Sequence, residues 1–203
     1  MLISLEHLIN KYNIIFTGIL HVGMHEAEEI VEYEKYIGRD KILWIEAIPD
    51  KVQYCISKFP SILVENAIIS DVEEEVNFNI SNNGQSSSIL ELGLHKSLHP
   101  EVYYITSFKS QSKRLDNVIS KYSDIQFNFL NLDIQGVELR ALKSIGDYLN
   151  KVNYVYTEVN NDYVYENCDL IEDIDKYLEK FGFKRMETIW FGNCKWGDAF
   201  YMK

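Results

Sequence analysis

No stretch of this 203-residue chain approaches the ~20 consecutive apolar residues that cross a bilayer, so a membrane partner is not expected. Residues 1–15 lack a basic cluster ahead of an apolar core and do not read as a leader. Leu2, Leu5, Leu8 and Ile9 instead repeat at helical spacing, and residues 1–14 are expected to hold a short amphipathic helix. Cysteine is scarce. Cys55, Cys168 and Cys194 lie far apart with no C-x-x-C pair, which argues against a zinc site and a disulfide framework. Reduced thiols in a cytoplasmic protein are the simplest expectation. Positive charge is in deficit: 20 Lys and Arg face 31 Asp and Glu, a net charge of -11. The densest basic stretch, 109–114, holds three cations among Ser and Gln. A phosphate backbone would be repelled, so nucleic acid is not an expected partner. Repeats and linkers are also absent, and the length suits one domain.

What is present is an alternation of apolar runs and helical patterns. Strand-like runs fall at 15–22, 42–45, 62–69, 76–80, 127–132, 152–159, 185–191 and 199–202. Helical spacing falls at 26–37, 49–59, 115–122, 138–149 and 170–181. Such alternation predicts a mostly parallel sheet with helices on both faces. The last two runs follow each other across a short turn, which predicts an antiparallel hairpin at one edge. That combination is the seven-stranded, Rossmann-like plan of the class I methyltransferases. A dinucleotide dehydrogenase usually continues with parallel strands. Residues 81–113 are polar, Ser-rich and aperiodic, and are expected to form an insertion or lid above the sheet.

Glycine is missing where a dinucleotide site would need it. A G-x-G-x-x-G fingerprint has three glycines, and after the first strand only Gly23 stands, followed by Met24, His25 and Ala27. A diphosphate needs more exposed backbone than this, so NAD and FAD are disfavoured, whereas S-adenosylmethionine tolerates a bulkier loop. Glu46 ends the second strand run, 23 positions after Gly23, where a carboxylate accepts from ribose hydroxyls. Asn66 and Ala67 stand near the end of the third run, where an adenine would lie. Asp133 ends a buried run and needs a donor, a cation or a metal as partner, or else caps the helix that follows. Glu158 and Asn160 share one side of an extended chain at the next strand end. Asp133, Glu158 and Asn160 suit Mg²⁺ as an oxygen-rich set, and suit equally a general base with substrate hydrogen bonds.

Taken together, the motifs resemble the FkbM family of S-adenosylmethionine-dependent methyltransferases. The pieces are HVGMHEAEE at 21–29, WIEAIPD at 44–50, NAIISD at 66–71, SSSILELGLH at 86–95, RLD at 114–116, LDIQGVEL at 132–139, YTEVN at 156–160 and WGDAFYMK at 196–203. The resemblance implies a class I fold and O-methylation of a small-molecule or carbohydrate hydroxyl. It implies cofactor contacts at His21, Gly23, Glu46, Asn66, Ala67 and Asp133, the last near the transferred methyl. It places Ser87, Ser88 and His95 in a Ser-rich segment over the substrate or cofactor. The first motif departs from the family pattern: Asp commonly stands where His21 is, a small residue where Met24 is, and Gly where Ala27 is. A methyltransferase-like binding module without catalysis is therefore carried as the second expectation.

Overall fold

A computed structural model describes residues 1–203. Its main sheet has seven strands: β1 (Ile19–Val22), β2 (Ile42–Glu46), β3 (Leu63–Asn66), β7 (Phe129–Leu132), β8 (Tyr154–Asn160), β9 (Lys184–Trp190) and β10 (Trp196–Met202). Their order is β3-β2-β1-β7-β8-β10-β9. The first five are parallel, and β10 is antiparallel to both β8 and β9. The chain's last strand thus inserts between β8 and β9, and the hairpin closes one edge.

β1, β2 and β7 are buried along their whole length, as parallel strands covered on both faces must be. Alternate residues divide between two cores. Leu20, Val22, Leu43, Ile45, Leu130 and Leu132 pack against α5 (Leu115–Ile119), α6 (Glu138–Ser144) and α7 (Ile171–Glu179). Ile19, Ile42, Trp44, Phe129 and Phe200 pack on the other face against α1 (Leu5–Tyr12), α2 (Ile30–Tyr33) and α3 (Pro49–Lys58). Local signals set the helix ends. The Ser4 side chain accepts from the His7 N–H at the start of α1, and Asn13 ends that helix in the left-handed conformation. Pro49 opens α3 at a position where its missing N–H costs nothing. Beyond α7, Gly182 at φ +84° turns the chain away.

Three expectations are revised. The run at 62–69 is not one strand: it leaves the main sheet at Ala67, and β4 (Ile68–Ile69) joins a second sheet of order β4-β6-β5. In that sheet β5 (Glu75–Ser81) forms an antiparallel pair with β6 (Tyr104–Lys113). The back third of the expected loop at 81–113 is therefore a ten-residue strand. It reads as polar because half of its residues are exposed to solvent. What remains is a connection over 82–103 with a single turn of helix, α4 (His95–Leu98). The helix expected at 26–37 is only Ile30–Tyr33, because Ala27 at φ +56° delays helical geometry. No helix is long and apolar enough to cross a membrane.

Candidate active site

The strand order reverses between β1 and β7, and ligands bind outside the carboxyl ends of strands at such a switch point. A cavity of about 530 Å³ opens there. Its floor is the turn after β1. Gly23 has φ +93°, and a Cβ on it would lie 1.7 Å from the Asp133 carbonyl oxygen, so the turns after β1 and β7 touch backbone to backbone. His25 and Ala27 also have positive φ, 48° and 56°. Three alternate residues thus hold left-handed geometry with glycine at only the first, a loop shape that a count of glycines misses.

Glu46 stands over this loop. Its Oε2 accepts from the His25 N–H and its Oε1 from the Ile48 N–H, both at 2.8 Å. Burial pushes its pKa up against the pull of those bonds. Each carboxylate oxygen keeps a further lone pair, and the side chain lines the cavity. Beside it Ala47, Ile48, Ala67, Ile68 and Phe78 form an apolar wall. Asn66 is not part of that wall. Its amide turns back to donate to the carbonyls of Glu46 at 2.8 Å and Ala47 at 3.0 Å, tying β3 to the turn after β2.

His21 lies at the cavity floor, stacked on Trp44 at 4.6 Å between centroids. Its Nδ1 is 3.1 Å from the Tyr33 hydroxyl, which accepts from the Asn131 amide at 2.7 Å. Burial pushes the His21 pKa down, so the ring is neutral at pH 7.

The other end of the cavity is acidic. Asp133 faces the open space, deep between the walls. Burial, and then the nearby Asp198, push its pKa up to about 6. Glu158 is buried beside it and is pushed well above the usual carboxylate range by burial and then by Asp133. Between them lies the Gln135 amide, donating to Asp133 Oδ1 at 2.6 Å and to Glu158 Oε2 at 3.0 Å. The Gln135 side-chain Oε1 accepts from the Tyr165 hydroxyl at 2.5 Å. Gln135 has φ +59°, and its turn is held by Glu138, whose carboxylate accepts from the Ile134 N–H at 3.0 Å and the Gly136 N–H at 3.1 Å. Asp198 lines the same end, hydrogen-bonded to Tyr156.

Of the substrate-side expectations, Ser87 and His95 line the cavity. The Ser87 hydroxyl accepts from the Ser81 N–H at 3.0 Å and donates to the Gly84 carbonyl at 2.8 Å. His95 Nδ1 is buried without a hydrogen-bond partner. Ser88 is off the cavity: its hydroxyl donates to the Gln135 carbonyl at 2.8 Å and braces the turn below. Asn160 is off it too, fully buried with no hydrogen-bond partner for its amide. The expected Mg²⁺ set of Asp133, Glu158 and Asn160 is therefore not assembled. No group of three or more His, Cys, Asp or Glu side chains is placed to hold a metal ion. The Gln135 amide stands where a bridging cation was expected. Sequence reasoning missed Gln135, Tyr165 and His25; only the LDIQG run hinted at the first.

A family model described as the methyltransferase FkbM domain matches residues 21–185. The chain belongs to the FkbM methyltransferase family. No curated protein matches it by sequence. Among solved structures, this FkbM protein is similar to magnesium protoporphyrin IX methyltransferase from Synechocystis PCC 6803, which holds bound S-adenosylmethionine. The identity is 8%, covering 98% of this chain and 75% of that one, with a TM-score of 0.52. It is also similar to an S-adenosylmethionine-dependent methyltransferase from Clostridium acetobutylicum ATCC 824, at 8% identity over 97% of this chain and 88% of that one, TM-score 0.51. A third likeness is to ribosomal protein L11 methylase from Lactobacillus delbrueckii subsp. bulgaricus, at 8% identity over 94% and 70%, TM-score 0.52. The fold of the FkbM protein is that of the class I S-adenosylmethionine-dependent methyltransferases.

Proposed function

We propose that the protein binds S-adenosylmethionine in this cavity and methylates a hydroxyl of a small, uncharged acceptor such as a sugar. The residues present fit that cofactor. The Gly23 turn gives it close backbone approach, Glu46 offers acceptors for the ribose, and the wall of Ala47, Ile48, Ala67, Ile68 and Phe78 suits adenine. The cavity is lined by Glu28, Glu29, Glu46, Glu101, Asp133, Glu158 and Asp198 and by neither a lysine nor an arginine; against these acids stands the Met1 ammonium, which pairs with Glu29. A diphosphate would be repelled there, and a sulfonium is favoured. The same field disfavours acceptors bearing phosphate or carboxylate.

S-adenosylmethionine, when bound, supplies an electrophilic methyl group. The chain then has to align the acceptor and take its proton. One observation carries the reading: Asp133 and Glu158 flank the Gln135 amide in the cavity that also holds Gly23 and Glu46. With its pKa at about 6, Asp133 is ionised at pH 7 and is the base. Burial and the neighbouring Asp133 push the Glu158 pKa well above the usual carboxylate range, which favours its protonated, hydrogen-bond-donating form. No step needs a metal.

A binding module without catalysis is the second reading, and the neutral, stacked His21 favours it. The test is transfer of a tritiated methyl from S-adenosylmethionine to a panel of neutral sugars and phenols, run beside S-adenosylhomocysteine titration. Transfer that Asp133→Asn abolishes supports the enzyme. Binding with no transfer to any acceptor favours the module. Absence of binding contradicts both.

A further inference from the structure

The acidic end of the cavity opens past an indole. β10 carries Trp196 and Asp198 two residues apart, so both side chains leave the same face of the sheet, and both line the cavity. Asp198 stands opposite Glu158 on β8, and Trp196 stands opposite Asn160, the last residue of that strand. The indole is therefore set one strand repeat, about 7 Å, farther toward the mouth than the two acids. It is half-buried, so open surface remains on it.

The ring is held in place. Phe191 stacks on it at 4.7 Å between centroids, with the planes 17° apart, and the Phe191 N–H donates to the Trp196 carbonyl at 3.0 Å. It also packs against the cluster that contains Val164 and Tyr165, on which His95 lies at 5.5 Å. A flat apolar surface thus borders a space whose other groups are polar: His99, Glu101 and Asp198 line the same cavity. A ligand that satisfies both needs an apolar face and hydroxyls around its edge. A pyranose ring has both. A phenol covers the indole and leaves most of the polar groups unpaired, whereas an open-chain polyol pairs them and leaves the indole bare.

We propose that Trp196 is the acceptor platform, on which a neutral pyranose lies with one hydroxyl toward Asp133 and Glu158. The proposal rests on the reading of this cavity as a methyltransferase site. Its test reads binding rather than turnover. Wild type, Trp196→Leu and Trp196→Phe, each saturated with S-adenosylhomocysteine, would be titrated by ligand-observed NMR. The probes are the methyl glycosides of glucose, galactose and mannose, the matching open-chain alditols, and phenol. At least one glycoside should bind the wild type more tightly than its alditol and than phenol. Trp196→Leu should weaken that glycoside about tenfold, and Trp196→Phe, which keeps a flat ring, should retain most of the affinity. The affinity for S-adenosylhomocysteine, measured by calorimetry, should be the same in all three proteins, which also shows that the variants are folded. Equal glycoside affinity in wild type and Trp196→Leu overturns the proposal, as does a wild type that prefers phenol or the alditols or binds no glycoside. A parallel loss of S-adenosylhomocysteine affinity in Trp196→Leu also overturns it, and marks the indole as packing for the hairpin. If the wild type binds no S-adenosylhomocysteine, the functional reading fails, and this proposal falls with it.

Discussion

The side-chain nitrogen of Gln135 lies 2.6 Å from Asp133 Oδ1. It donates at the same time to Glu158, so the two acids share one neutral donor. Gln135→Leu removes that donor, whose hydrogen bond holds the Asp133 pKa down. Turnover at pH 7 should fall by about 10², as expected for a mispositioned base. Its acid limb should also move to higher pH. A kcat/KM profile unchanged in both height and position would show that Gln135 is only a turn residue.

On the proposed mechanism Asp133 sets the pH dependence of the reaction. Only its ionised form takes the acceptor's proton, so kcat/KM should rise tenfold per pH unit below about 6 and level off above. Asp133→Asn should lower turnover by about 10² or more with little loss of S-adenosylhomocysteine affinity. Full activity should persist in EDTA, since no metal-binding set is assembled. Loss in EDTA that Mg²⁺ restores would contradict this mechanism.

Glu138 is fully buried, and burial pushes its pKa up to about 8. The native state thus holds its proton where the unfolded chain, titrating near 4.5, has released it. The resulting stability is fully present below about pH 4.5 and is lost as pH rises through about 8. His21 and His95, whose pKa values burial lowers, oppose this on the acid side. They remain in Glu138→Gln, so the difference between the two proteins isolates Glu138. Urea titrations from pH 5 to 8 should show the wild type losing a few kcal/mol relative to Glu138→Gln. A constant difference across that range would mean that Glu138 is ionised in the fold.

The segment over the cavity divides into a fixed part and a responsive part. β5 and β6 pair from Glu75 with Gln111 to Ser81 with Tyr104, so their amides should resist hydrogen exchange in the free protein. Ser86 and Ser87 line the cavity from the connection above. Residues 82–89 should gain protection when S-adenosylhomocysteine is added. Equal protection with and without it would make the connection a fixed wall.

Much of this fold is legible in the sequence because parallel strands buried on both faces must be apolar throughout. The runs at 42–45 and 127–132 could hardly be anything else, and the short turn before 199–202 announces the hairpin. Gly23 and Glu46 are legible for a related reason: a strand end followed by a required glycine, and a carboxylate one unit later, are local patterns. β6 is not legible, because a strand with one solvent face alternates weakly and its partner lies more than twenty residues back. The fates of Asn66, Ser88 and Asn160 are not legible either. Each is a polar residue at a plausible rim, and only the packing decides whether its side chain turns to the ligand or to a nearby carbonyl. Gln135 reads as a turn neighbour of Gly136 until β7 and β8 are known to be adjacent. The loop at His25 and Ala27 is hidden because left-handed geometry there is borne by residues other than glycine.

The central claim is that this cavity holds S-adenosylmethionine with its ribose on Glu46. Calorimetric titration of S-adenosylhomocysteine into wild type and Glu46→Ala tests it most directly. The wild type should show saturable one-to-one binding. Glu46→Ala should lose at least tenfold in affinity while remaining folded by circular dichroism. Equal affinity for the two proteins, or no binding by the wild type, would contradict it.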